Sequence, residues 1–174
     1  MAKKVVLGTD HRGRRLKERL KEVLAAWGYE YEDKGAFRHD AEDDYPDFIA
    51  PVARLVSLDP DRRGIVLGHS GQGEALLANK FPNVRAAVYY GGPLELVRLA
   101  REHNNANVLS LGASYLDNDT AIAAVKLWLE TPFSEEARHI RRLDKVAEYD
   151  QAENICDLSL GGESGPTGQC EPLP

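Results

Sequence analysis

Apolar residues along this chain follow two rhythms. Short runs, KKVVLGT (3–9), YEYEDKG (29–35), RGIVLG (63–68), VRAAVYY (84–90) and NVLSLGA (107–113), predict five β-strands. Between them the apolar spacing lengthens to three and four residues, which predicts helices over 13–28, 45–58, 73–81 and 92–105. In the first of these, Leu16, Leu20, Val23, Leu24 and Trp27 share a face, Lys17, Glu18, Lys21 and Glu22 are left for solvent, and Gly28 supplies the stop. Two further helices are expected after the last strand, over 117–131 and 134–153, the second opened by Ser134 as an N-cap ahead of acidic residues.

Strands alternating with helices through short connections imply an α/β fold. The expected architecture is a three-layer α/β/α sandwich, a Rossmann-like five-stranded parallel sheet with an extra C-terminal helix. Ligands of such sheets sit at the carboxyl ends of the strands. Past residue 153 the periodicity is lost while Gly, Pro and Ser become frequent, so residues 1–153 read as one domain and 154–174 as a flexible tail.

Composition narrows the choice of partners. A chain of 174 residues with 43% hydrophobic content suits a single core. A formal charge of -6 argues against general attraction to nucleic acid. No apolar run approaches the roughly 20 residues that span a bilayer, and the start MAKKVVLGTDH enters a strand rather than a secretion signal. No membrane partner and a cytoplasmic location are therefore expected. Cys156 and Cys170 lie outside every patterned segment and read as ordinary thiols.

Candidate chemistry gathers near the strand ends. Asp10 and His11 directly follow the first strand, as a functional pair or as a helix cap with a polar neighbour. HSGQG (69–73) supplies Gly71 and Gly73 ahead of a helix, so its N–H groups can hold an anion; a plain turn needs the same glycines. The loop lacks the Lys-Ser/Thr ending of a phosphate-binding P-loop and the spacing of a dinucleotide fingerprint. Glu74 at its far end is a base or a complement to the helix dipole. Asn79 and Lys80 suit a helix end. REHNNAN places His103, Asn104, Asn105 and Asn107 together, more asparagines than one left-handed cap requires. Arg138 and Arg142 share a helical face and would grip a phosphate or simply meet solvent.

The words GTDHRG, DYPDFI, GHSGQGEALLANK, LAREHNNANVLSLGA and RHIRR, in this order, resemble the ribose-5-phosphate isomerase B family, which also includes the galactose-6-phosphate isomerase subunits. The resemblance covers residues 3 to 149. It implies an aldose-ketose isomerase without metal or cofactor, acting on a phosphorylated sugar at a site shared across a homodimer or a dimer of dimers. The implied reaction interconverts ribose 5-phosphate and ribulose 5-phosphate; the rivals are another sugar, such as a tetrose, allose or galactose phosphate, and a binding module without catalysis. Members use as base either a cysteine ahead of the Gly-rich loop or a glutamate after it; Gly68 occupies the first position and Glu74 the second.

By that resemblance Glu74 moves the proton, its pKa raised by burial, while Ser70 and the N–H groups from Gly71 to Glu74, Gly73 included, stabilise the enediolate. Asp10 and His103 assist ring opening, Asn104 binds the developing oxyanion, and His11, Arg138 and Arg142 hold the phosphate. His103, Asn104 and the arginines are expected to serve the neighbouring subunit. Two positions depart from the family pattern: Ser114 stands where many members have Arg, and His69 replaces a small residue, which is expected to narrow the crevice.

Overall fold

The structure, a computed structural model, describes residues 4–151. The elements alternate as β1 (Val5–Thr9), α1 (Arg14–Ala26), β2 (Tyr31–Asp33), α2 (Pro46–Leu58), β3 (Arg63–Gly68), α3 (Gln72–Ala78), β4 (Ala86–Tyr89), α4 (Glu95–Glu102), β5 (Val108–Gly112), α5 (Asn118–Glu130) and α6 (Ala137–Gln151). All strand pairs are parallel, in the order β2-β1-β3-β5-β4, which is the doubly wound α/β sheet expected from the alternation. Among the described residues no helix is long and apolar enough to cross a membrane.

The sheet sorts its side chains by the period of two. Val5, Leu7, Ile65, Leu67, Leu109 and Leu111 face one layer with Leu16, Leu20 and Leu24 of α1 and Val125 and Trp128 of α5. Val6, Val66 and Val108 face the other, with Ile49, Val52 and Val56 of α2 and Ala78 of α3. The central strands β1, β3 and β5 are buried along their whole length, so both faces must be covered.

Several local expectations change. Lys17 is fully buried rather than solvated: its Nζ donates to Asp33 Oδ1 at 2.6 Å and to the Ala36 carbonyl at 3.1 Å, so the end of β2 draws it inward from the polar face of α1. Helix α6 starts at Ala137, three residues after Ser134; the Ser134 N–H donates to the Glu102 carbonyl, Glu135 takes a left-handed φ of 55°, and the Glu136 carbonyl accepts the first helical bonds. The described residues fall into two compact units, divided in sequence after Ser134. The first holds the sheet and α1–α5, and the second is described over α6 and its lead-in. The expected boundary at 153/154, the tail, Cys156 and Cys170 lie outside the described residues.

Candidate functional site

Asp10 and His11 leave the carboxyl end of β1 together and take different partners. Asp10 is buried, and its Oδ1 accepts the N–H groups of Arg12 at 2.9 Å and Gly13 at 3.3 Å, so one oxygen organises the turn into α1. His11 is anchored by Asp43, whose Oδ1 lies 2.6 Å from His11 Nδ1 and 3.2 Å from its backbone N. This bond fixes the ring and leaves Nε2 for a ligand. Asp43 Oδ2 is buried without a hydrogen-bond partner among the described residues. Asp10, His11 and Asp43 each bring a possible metal ligand within 4.8 Å of one another, but a nitrogen–oxygen separation of 2.6 Å suits a shared proton rather than an intervening ion.

The loop after β3 is held from two sides. Gly71 adopts the left-handed φ of 78° that caps α3, and its carbonyl accepts from Ser110 Oγ of β5 at 2.5 Å. The ring of Tyr45 closes on Gly73, standing 3.1 Å from where a Cβ would project. Ala75 N–H makes the first helical bond, to the Gly71 carbonyl at 3.1 Å; the N–H groups of Gln72, Gly73 and Glu74 therefore lack an intrahelical acceptor. Ser70 is half-buried, and its Oγ lies 3.4 Å from Gln72 N, at the limit of a hydrogen bond.

Glu74 is 4% exposed and folds back over the end of β3. A Cβ built on Gly68 would overlap its carboxyl carbon and oxygens, so glycine at 68 is what gives this side chain its place. Burial pushes the Glu74 carboxyl above the ordinary carboxylate range; its own backbone N–H opposes this, the negative charge of Asp10 adds to it, and His69 works against it. The result is a desolvated carboxyl beside helix-terminal N–H groups, able to exchange a proton and to sit next to transient negative charge.

The two unusual positions form a pair. Ser114 Oγ and His69 Nδ1 are 2.7 Å apart, Ser114 N–H donates to the His69 carbonyl at 3.1 Å, and the His69 ring meets Tyr115 edge-on with centroids 5.4 Å apart. Both residues are exposed on the rim formed by the loops after β3 and β5, so His69 leans along the rim toward Ser114 instead of standing alone in the crevice.

The other expected residues lie elsewhere. His103 caps the C-terminus of α4, its N–H donating to the Leu99 carbonyl at 2.9 Å, and Asn104 follows it, exposed. Because α4 runs back against parallel strands, both sit at the amino end of the sheet, opposite Asp10 and Glu74. The asparagine cluster divides by duty: Asn105 takes the left-handed φ of 45°, Asn107 is buried and joins Arg85 N–H to the Asn83 carbonyl, and Asn104 alone is exposed. Arg138 and Arg142 are exposed one turn apart on α6, with Arg138 Nε 2.8 Å from Glu136 Oε2. Asp43 and Ser110 were not singled out in the sequence. An acidic run in a loop and a serine within a strand look unremarkable until the fold sets them against His11 and Gly71.

A doubly wound parallel sheet with a buried carboxyl beside unpaired N–H groups at its carboxyl end offers the groups that proton transfer next to an anion requires. The family model described as Ribose/Galactose Isomerase matches residues 5–146, and the chain belongs to that family. It is similar to ribose-5-phosphate isomerase B of Mycobacterium tuberculosis, with 44% identity over 148 residues, 85% of this chain and 90% of the relative. The ribose-5-phosphate isomerase B of Escherichia coli is 33% identical over 152 residues, 87% of this chain and 99% of that one. Among solved structures, ribose-5-phosphate isomerase B from Mycoplasma genitalium with bound ribulose-5-phosphate matches with a TM-score of 0.81 at 35% identity, covering 84% of this chain and 95% of that one.

Proposed function

We propose that this protein interconverts ribose 5-phosphate and ribulose 5-phosphate, with Glu74 as the base. The observation that carries the reading is the buried Glu74 carboxyl packed over Gly68, raised in pKa and adjacent to N–H groups without helical acceptors. The bound ribulose-5-phosphate of the Mycoplasma genitalium relative supports the choice of substrate.

In the forward direction Asp10 and His103 exchange protons with the ring oxygen and the anomeric hydroxyl, opening the furanose to the aldehyde. Glu74, within about 3 Å of the C2 hydrogen, removes it as a proton. The C–H electrons form a C1–C2 double bond and push the aldehyde π electrons onto O1, giving the enediolate. Ser70, the N–H groups from Gly71 to Glu74 and Asn104 stabilise that charge as it forms. Glu74 then returns its proton to C1 while the O2 proton moves to O1, leaving the ketone at C2. His11, positioned by Asp43, binds the phosphate with Arg138 and Arg142 of the partner subunit. His103 and Asn104 lie at the far end of their own sheet, so a second copy supplies them and the working unit is a homodimer or a dimer of dimers. No cofactor takes part, and the enzyme works in the cytoplasm.

The test is conversion of ribose 5-phosphate in deuterium oxide, with galactose 6-phosphate and a tetrose phosphate as comparison substrates. Turnover of the pentose phosphate, with solvent deuterium entering at the transferred carbon, is expected for wild type and lost in Glu74→Gln. Preferential turnover of a six- or four-carbon substrate would reassign the sugar. Binding with neither turnover nor exchange would leave a binding module.

A further inference from the structure

Two imidazoles stand at matching places at the carboxyl end of the sheet. Thr9 of β1 pairs with Leu67 of β3, so His11 and His69 each follow that pair by two positions on adjacent central strands. Both rings are held through Nδ1, His11 by Asp43 Oδ1 at 2.6 Å and His69 by Ser114 Oγ at 2.7 Å. The proposed reaction uses His11 and not His69. Yet several residues fix this exposed ring. Ser114 holds it twice, since its N–H also donates to the His69 carbonyl at 3.1 Å. Tyr115 meets the ring edge-on and is backed by Tyr90, with centroids 6.3 Å apart. Gly112 lets this aromatic wall close on the loop after β3: a Cβ there would stand 2.6 Å from Tyr90 Cβ and 2.7 Å from the Ser70 carbonyl oxygen.

Ordering a surface side chain costs entropy, so a ring held this way is set for a contact. With the Ser114 hydroxyl donating to Nδ1, the ring hydrogen lies on Nε2; a protonated ring keeps that hydrogen and reverses the serine bond. Nε2 is therefore a donor in both states. Its surroundings are the reacting end of the site. His69 directly follows Gly68, over which the Glu74 carboxyl folds, and directly precedes Ser70. Burial raises the Glu74 pKa, and of the side-chain charges acting on that carboxyl Asp10 adds to the rise while His69 opposes it, which sets the imidazole within electrostatic reach of the base. A donor at this place suits the oxygens on C1 and C2 of a sugar, which carry lone pairs in the bound state and gain negative charge as the proton leaves.

We propose that His69 is a further substrate-binding residue, held by Ser114 and Tyr115, which donates from Nε2 to an oxygen at the C1–C2 end of the sugar, beside Glu74. This contact rests on the reaction proposed above. The probes are ribose 5-phosphate and inorganic phosphate, each titrated calorimetrically into the full-length protein carrying Glu74→Gln, so that no conversion accompanies binding. Adding His69→Ala should weaken ribose 5-phosphate by roughly three- to tenfold and leave inorganic phosphate unchanged, because phosphate alone does not reach the sugar end. His69→Gln, whose amide N–H reaches the place of Nε2, should restore binding to within about twofold; His69→Asn, whose amide reaches only the place of Nδ1, should resemble His69→Ala. In the isomerase assay, with Glu74 intact, the same order is expected in kcat/KM. Midpoints of thermal unfolding establish that each variant is folded, and the comparison of His69→Gln with His69→Asn carries the test should His69→Ala not fold. Unchanged binding of ribose 5-phosphate by His69→Ala would overturn the proposal, as would an equal loss for inorganic phosphate or a His69→Gln as weak as His69→Asn. Absence of turnover in the wild type would count against the proposed reaction, while the titrations still read this contact.

Discussion

The two ends of this sheet collect opposite charges for one structural reason. At the carboxyl end the strands run into helix N-termini, where N–H groups lack acceptors, and carboxylates settle there: Asp10 on the N–H groups of Arg12 and Gly13, Glu74 in the first turn of α3. At the amino end helices finish and loops turn, leaving carbonyls exposed, and arginines collect on them: Arg63 on Pro60 and Arg62, Arg101 on Ala106 and Thr131. N–H groups ordinarily favour the ionised carboxylate. For Glu74 burial outweighs them and raises its pKa, while Asp10 gives one oxygen to the turn that opens α1.

Removing the charge at Glu74 is the hardest blow to the carboxyl end. Glu74→Gln should lower kcat by about 10²–10⁴ with little change in KM, measured on ribose 5-phosphate. The same variant tests the pKa. Folded Glu74 holds its proton above the ordinary carboxylate value, so the folded chain binds more protons in that window and stability falls as pH rises through it. Glu74→Gln should lose this fall in denaturation series across pH and be more stable than wild type at neutral pH. In the wild type, kcat/KM should rise with pH through the same raised value, since the base must be ionised.

A subtler disruption leaves every reactive group in place. Gly68→Ala should displace the Glu74 carboxyl and reduce kcat by about 10²-fold without unfolding the protein, because a shift on the order of 1 Å suffices for such a loss. Asp43→Asn should release His11 and raise KM for the phosphorylated sugar by roughly three- to tenfold, with a smaller effect on a phosphate-free analogue. Ser114→Ala should be mildest: it breaks an exposed bond to His69, and steady-state constants should move by less than about threefold.

The strand and helix alternation was legible because burial on both sheet faces writes long apolar runs into β1, β3 and β5. Strand β2 is three residues where seven were expected, since charged residues at a sheet edge blur its ends. Lys17 misled because helical periodicity records neighbours along α1 and is blind to Asp33 across the sheet. Glu74, Asp10 and His11 were legible by their places beside strand ends. Asp43 was not, since its meaning depends on a contact 32 residues away in sequence. His103 and Asn104 stood out as a cluster, yet only the direction of α4 places them at the opposite end of the sheet from Glu74.

Gly68 carries a historical consequence. A bulky residue there and the present rotamer of Glu74 exclude each other sterically. Any lineage that gains a side chain at position 68 must therefore move the Glu74 carboxyl or repack the strand end in the same step.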